Sequence, residues 1–126
     1  MEDFLRDLHV LGRWLVTAAT ILAFARLLWG MAQQKPYDKQ THMAVVIWSG
    51  LVGLQWILGI LLFLVLGGFD LRFRWLHAGV MTLAVAVAHA YVPLKKRDVS
   101  LRYRGGLASM VAVFVLVMIG VNALTW

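Results

Sequence analysis

Four histidines, His9, His42, His77 and His89, are the residues of this chain best placed to do chemistry. Each lies in or at the edge of a strongly apolar stretch, where an ionisable side chain is costly and marks a functional site by default. Two neutral imidazoles on different helices can hold the iron of a b-type haem from opposite faces, provided they sit at one depth. Imidazole also suits copper. The chain has no cysteine, which excludes disulfides, thiolate-bound zinc, iron–sulfur clusters and thiol redox chemistry.

The elements that must position these rings follow from composition. Of the 126 residues, 62% are hydrophobic and 14% are charged, whereas a soluble domain is roughly 45–50% apolar and about 25% charged. A soluble protein this apolar could not cover its own surface. Spanning a bilayer takes about 20 mainly apolar residues in a helix, and four stretches qualify: 10–31, with an interfacial turn from near Asp3, then 43–66, 75–92 and 107–124. The expected fold class is an all-α integral membrane four-helix bundle, up-down-up-down, forming one domain over 1–126. Gln33 to Gln40 around Pro36, Asp70 to Arg74 after Gly67-Gly68, and the basic run from Lys95 to Arg104-Gly105-Gly106 read as the joints, with Pro93 closing the third span. The mixed, acidic start Met1 to Asp7 reads as part of the mature first helix rather than a secretory signal.

The net charge of +6 belongs to topology and anionic lipid headgroups rather than to nucleic acid. The face with the 1–2 and 3–4 joints carries seven cations (Lys35, Lys39, Lys95, Lys96, Arg97, Arg102, Arg104). The other has four (Arg6, Arg13, Arg72, Arg74), beside Glu2, Asp3, Asp7 and Asp70. The positive-inside rule puts the first group in the cytoplasm, so both termini of a bacterial inner-membrane protein face outward. Trp14, Trp29, Trp75 and Trp126 fall at span ends as interfacial anchors, while Trp48 and Trp56 lie deeper, facing lipid or lining a pocket.

Threading the spans alternately sorts the histidines into an outer pair, His9 and His77, and an inner pair, His42 and His89. His77 and His89 stand 12 residues apart, about 18 Å along a helix and roughly 120° around it. They therefore face different neighbours: His77 toward the first helix and His9, His89 toward the second and His42. Arg13, Arg72 and Arg74 near the outer pair suit haem propionates, as Lys39, Arg26 and Arg97 do near the inner pair. Gln55 could hydrogen-bond a quinone carbonyl, a haem edge or another helix. Each histidine also has a plain reading. His42 can be a hydrated loop residue, and His9 and His77 can be polar residues at span boundaries. His89, within Val85 to Ala90, is the hardest to treat so.

His9-Val-Leu-Gly-Arg13-Trp14, Leu54-Gln55 with Gly59, and His77-Ala-Gly-Val-Met81 look like a family of small bacterial four-helix membrane proteins. The whole chain resembles the four-helix membrane cytochromes b, which bind haem through paired transmembrane histidines and exchange electrons with quinols. That resemblance implies haem b, one or two per chain, with His9 and His77 the firmer ligands, and quinone as redox partner. It leaves open a stand-alone oxidoreductase, a homo-oligomer or a subunit of a larger respiratory complex. Two other functions compete: a copper protein using His9 and His77, with Met43, Met81 and Met110 scattered rather than clustered, and a cofactor-free subunit or assembly factor.

Overall fold

The protein is described by a computed structural model, which covers residues 2–67, 69–90 and 99–123. Four helices follow one another: α1 (Glu2–Ala32), α2 (Lys39–Leu66), α3 (Arg72–His89) and α4 (Val99–Ala123). Glu2 and Asp3 open α1, where acidic groups complement the positive end of the helix dipole. Asp38 caps α2: its carboxylate accepts from the Thr41 backbone N–H at 2.8 Å and the Thr41 hydroxyl at 2.7 Å. Gly67 ends α2 with φ of 68°, a conformation that suits a residue without Cβ.

The helices pack as a closed ring, α1 against α2 and α3 against α4 most extensively, with α2–α3 and α1–α4 completing it. The up-down-up-down, all-α bundle read from the sequence is therefore the architecture observed. The helices α1, α2 and α4 are long and apolar enough to cross a membrane. Over its 18 residues α3 rises about 27 Å, but Arg72 and Arg74 occupy its first turn and lower its apolarity. Lipid is the natural solvent for the outside of this ring: Phe4, Trp14, Ile21, Leu22 and Leu64 are all more than half exposed.

Boundaries differ from the expected ones most at α4. The run Arg102-Tyr103-Arg104-Gly105-Gly106, expected in a loop, is helical, and α4 starts at Val99 rather than near 107. Two glycines cost a helix about 1 kcal/mol each, but Tyr103 is buried among α1 and the α1–α2 turn and holds this segment in register. At the other joint, α3 begins at Arg72 and ends at His89, three residues earlier than expected at each end. Gly68, Pro93, Lys95, Lys96, Arg97, Thr125 and Trp126 lie outside the described residues.

Burial is uneven along the bundle. Leu27, Val45, Trp48 and Met110 are fully buried, and Ala23, Tyr37, Thr41, Val52, Ala84, Ala88, Tyr103 and Val113 join them. Apart from Val52, Ala84 and Val113 near mid-depth, these residues lie toward the end with the α1–α2 turn. Beyond those three, toward the opposite end, Leu5 and Gly120 are the buried positions among the described residues. Buried residues are many at one end of the bundle and few at the other. His9 and His77 belong to the half with few.

Candidate functional site

His9 lies two turns into α1, and the residue that holds it comes from α2. The Gln55 amide nitrogen donates to the His9 backbone carbonyl at 2.7 Å and stands 3.1 Å from His9 Nδ1. Both amide hydrogens are thus used on one residue, Nδ1 accepts, and the neutral ring carries its proton on Nε2. Two glycines make the approach workable. A Cβ on Gly12 would collide with Gln55 Oε1, and one on Gly59 would lie 3.1 Å from His9 Cε1. Hence His9, Gly12, Gln55 and Gly59 form one interlocking unit across the α1–α2 seam. Gln55 Oε1 is buried there with no hydrogen-bond partner.

His77 enters from α3 and is tied to α4. Its Nδ1 lies 2.8 Å from the carbonyl oxygen of Gly120. A carbonyl only accepts, so Nδ1 carries the proton and the Nε2 lone pair is available. Met81, one turn further along α3, covers Gly120 closely enough that a Cβ there would be 2.7 Å from the methionine methyl. The outer pair thus lies at the same end of the bundle, with His9 of α1 held from α2 and His77 of α3 held from α4.

The inner pair is not joined. His89 Nδ1 bonds within its own helix to the Val85 carbonyl at 2.9 Å, and its ring packs over Gly53, whose added Cβ would lie 3.5 Å from Cε1. Gly53 stands 11 residues beyond His42 on α2, about 16 Å along the axis. His42 itself stays near the helix start, edge-on to Tyr37 at 6.4 Å. His89 does face α2 as expected, but at a different level from His42.

The cations expected to receive propionates divide similarly. Arg13 is exposed, with its guanidinium 5.4 Å from the Trp14 ring centre. Arg72 opens α3. Arg74 donates to the Gly67 carbonyl at 2.7 Å, so it also closes the C-terminus of α2. Trp48 faces the core rather than lipid: it is buried and donates to Thr20 at 2.9 Å, while Trp56 donates to Thr82 at 2.9 Å.

Sequence reasoning missed Tyr103 and Tyr37. Their rings meet edge-on at 5.1 Å, and the Tyr103 hydroxyl lies 3.2 Å from the carbonyls of both Lys35 and Pro36. The usable signal was Gly30, a small residue inside an otherwise bulky turn of α1, where a Cβ would be 2.6 Å from the Tyr103 hydroxyl.

Comparison with known protein families, curated proteins and solved structures found no match for this chain. The chemistry must therefore be argued from the residues. Among the described residues no group of three or more His, Asp or Glu is placed to hold a metal ion. Two imidazoles could instead serve a planar group that needs two nitrogen ligands. His77 already has the ligand tautomer, and His9 acquires it when the Gln55 amide turns Oε1 toward Nδ1–H, exchanging its bond to the His9 carbonyl for one to the ring. The outer half, with few buried residues, is where such a group would lie.

Proposed function

We propose that this chain is a b-type membrane cytochrome of the bacterial inner membrane, carrying electrons within the bilayer to or from a quinone. The reading rests on the His77 ring, fixed by its Nδ1–H on Gly120 with Nε2 left available, at the same end of the bundle as His9. One haem per chain is favoured, because His42 and His89 stand at different levels. Bound haem would supply the one-electron chemistry. The chain's own residues do the rest: Gln55 orients His9, Gly12 and Gly59 admit Gln55 and the imidazole, and Gly120 anchors His77. Arg13 and Arg72 stand near the outer surface, where propionate carboxylates would meet cations.

A second reading has its own support. His9, His77 and His89 all make hydrogen bonds within the bundle, as polar residues do when they only glue helices together in a membrane. A cofactor-free subunit of a larger complex would look the same. Spectroscopy separates the two. Protein purified from haem-replete cells is expected to show a Soret band, a reduced alpha band and a pyridine haemochrome of one haem b per chain. His9→Ala and His77→Ala should each abolish the six-coordinate spectrum, while His42→Ala leaves it intact. A colourless, folded protein rejects the cytochrome in favour of the second reading, and copper in its metal analysis would favour a copper site.

A further inference from the structure

The end of the bundle with many buried residues carries a cationic cluster that the haem reading does not use. Arg102, in the first turns of α4, places its guanidinium 4.3 Å from the Tyr37 ring centre. Its Nε is buried with no hydrogen-bond partner. Lys35, at the start of the α1–α2 turn, places its ammonium 4.6 Å from the Trp29 ring centre. Tyr103 is seated on Gly30 and edge-on to Tyr37, and its hydroxyl meets the Lys35 carbonyl. Two cations thus stack on aromatic rings at this end of the bundle, Arg102 on Tyr37 and Lys35 on Trp29. The acidic group described in the adjoining turn, Asp38, is engaged by Thr41 and faces Arg26 at 3.9 Å.

The physics of this cluster asks for an anion. The Arg102 Nε–H is a buried donor without a partner, and such a donor is costly where water is scarce. Among the described residues no acidic side chain lies in the first turn of α4, although the positive end of a helix dipole disfavours a cation there. A phosphodiester supplies both the charge and the paired oxygens that a guanidinium binds in fork geometry. Trp29 is half exposed on the lipid side, and Leu28 and Met31 beside it are exposed and apolar, so a ligand with a phosphate head and acyl chains matches the surface as a whole. We infer that the seam of α1 and α4 binds an anionic phospholipid, with Arg102 and Lys35, stacked on Tyr37 and Trp29, holding the headgroup phosphate. The site is independent of haem and stands whether or not the chain is a cytochrome.

Thermal unfolding of detergent-purified protein, with lipid added, tests this. Phosphatidylglycerol should raise the midpoint of the wild type saturably, while phosphatidylcholine of the same chain length should not. Arg102→Gln and Lys35→Gln should each weaken the apparent affinity about tenfold, the loss of one charge-assisted bond. Arg102→Lys, which keeps the charge and the fold but not the fork, should weaken it too. Arg6→Gln, an equal change of charge at the opposite end, should leave the response as it was. An unchanged phosphatidylglycerol response in Arg102→Lys and Lys35→Gln overturns the site, as does an equal response to inorganic phosphate, which would make it a free-anion site. Loss of the response in Arg6→Gln as well overturns it in favour of unspecific charge attraction.

Discussion

Gln55 shows how much one side chain can settle in a lipid-facing bundle. Its amide hydrogens both go to His9, and the price is an orphaned Oε1 wedged against Gly12. Interhelical hydrogen bonds in membranes average only about 0.6 kcal/mol, because the separated helices find other partners. Gln55→Leu should therefore cost little stability, about 1 kcal/mol or less. Its larger effect is on His9, which loses the group that selects its tautomer and angle. Gly12→Ala attacks the same contact from the other side, since the new methyl must displace the Gln55 amide. Reversible unfolding in mixed micelles should find the two substitutions non-additive: with Leu at 55, the Gly12→Ala penalty should shrink by at least half. Simple additivity would mean that Gln55 does not occupy the Gly12 notch.

At the scale of the helix, some features were legible in the residues and others were not. Helix number, order and approximate ends follow from hydropathy and from breakers such as Gly67 and Pro36, while three of the four helices are long and apolar enough to cross a membrane. The rise between two residues of one helix follows as well, at about 1.5 Å each, but the level of one helix against its neighbour does not. Nor does azimuth. When lipid-facing and core-facing positions are both apolar, a helix carries no amphipathic stripe to show which side meets its neighbour. His89 does face α2 as expected, but not at the expected level: its ring packs on Gly53, about 16 Å along α2 from His42. The start of α4 was hidden for a related reason: Arg102 and Gly105-Gly106 look like a loop until Tyr103 is seen packed at Gly30. The start of α2, by contrast, was set by ordinary capping chemistry and has a pH consequence. The backbone N–H of Thr41, then its hydroxyl, and to a smaller degree Arg26, hold the Asp38 carboxyl below its usual value of 3.8. A carboxyl with a depressed folded-state pKa stabilises the fold above its unfolded pKa, and that contribution is lost as pH falls through the folded value. Amide exchange in the first turn of α2 should therefore speed up in acid below about pH 4. Asp38→Ala should be fast at every pH. Arg26→Gln should behave nearly as wild type, since an exposed ion pair at 3.9 Å is worth little. Exchange governed by Arg26 instead would make the ion pair, not the cap, the holder of the turn.

For the whole molecule, the question is which way the bundle sits, because both proposals depend on it. The two ends differ in charge, burial and chemistry together. The end with the α1–α2 turn has most of the buried residues, Arg26, Lys35, Lys39, Arg102 and Arg104, and the inferred headgroup seat. The other end has the histidine pair, few buried residues and acidic residues at Glu2, Asp3 and Asp70. Basic residues are retained on the cytoplasmic side of short loops, and anionic lipid there attracts them further, at about 1 kcal/mol per cation near the surface. Both effects push the same way, toward the proposed orientation with Lys39 inside and Asp3 outside. The absence of native cysteine makes this easy to read, since any thiol signal comes from the residue introduced. In intact cells an impermeant maleimide should label Asp3→Cys and Asp70→Cys at once, but Lys39→Cys only after the membrane is opened. The reverse pattern would turn the histidine pair toward the cytoplasm and put the lipid seat in the outer leaflet. Labelling of Asp3→Cys and Asp70→Cys from opposite sides would go further. It would mean that α3, with its arginine-bearing first turn, does not cross beside the other three helices, and the ring that puts His77 and His9 at one end could not close.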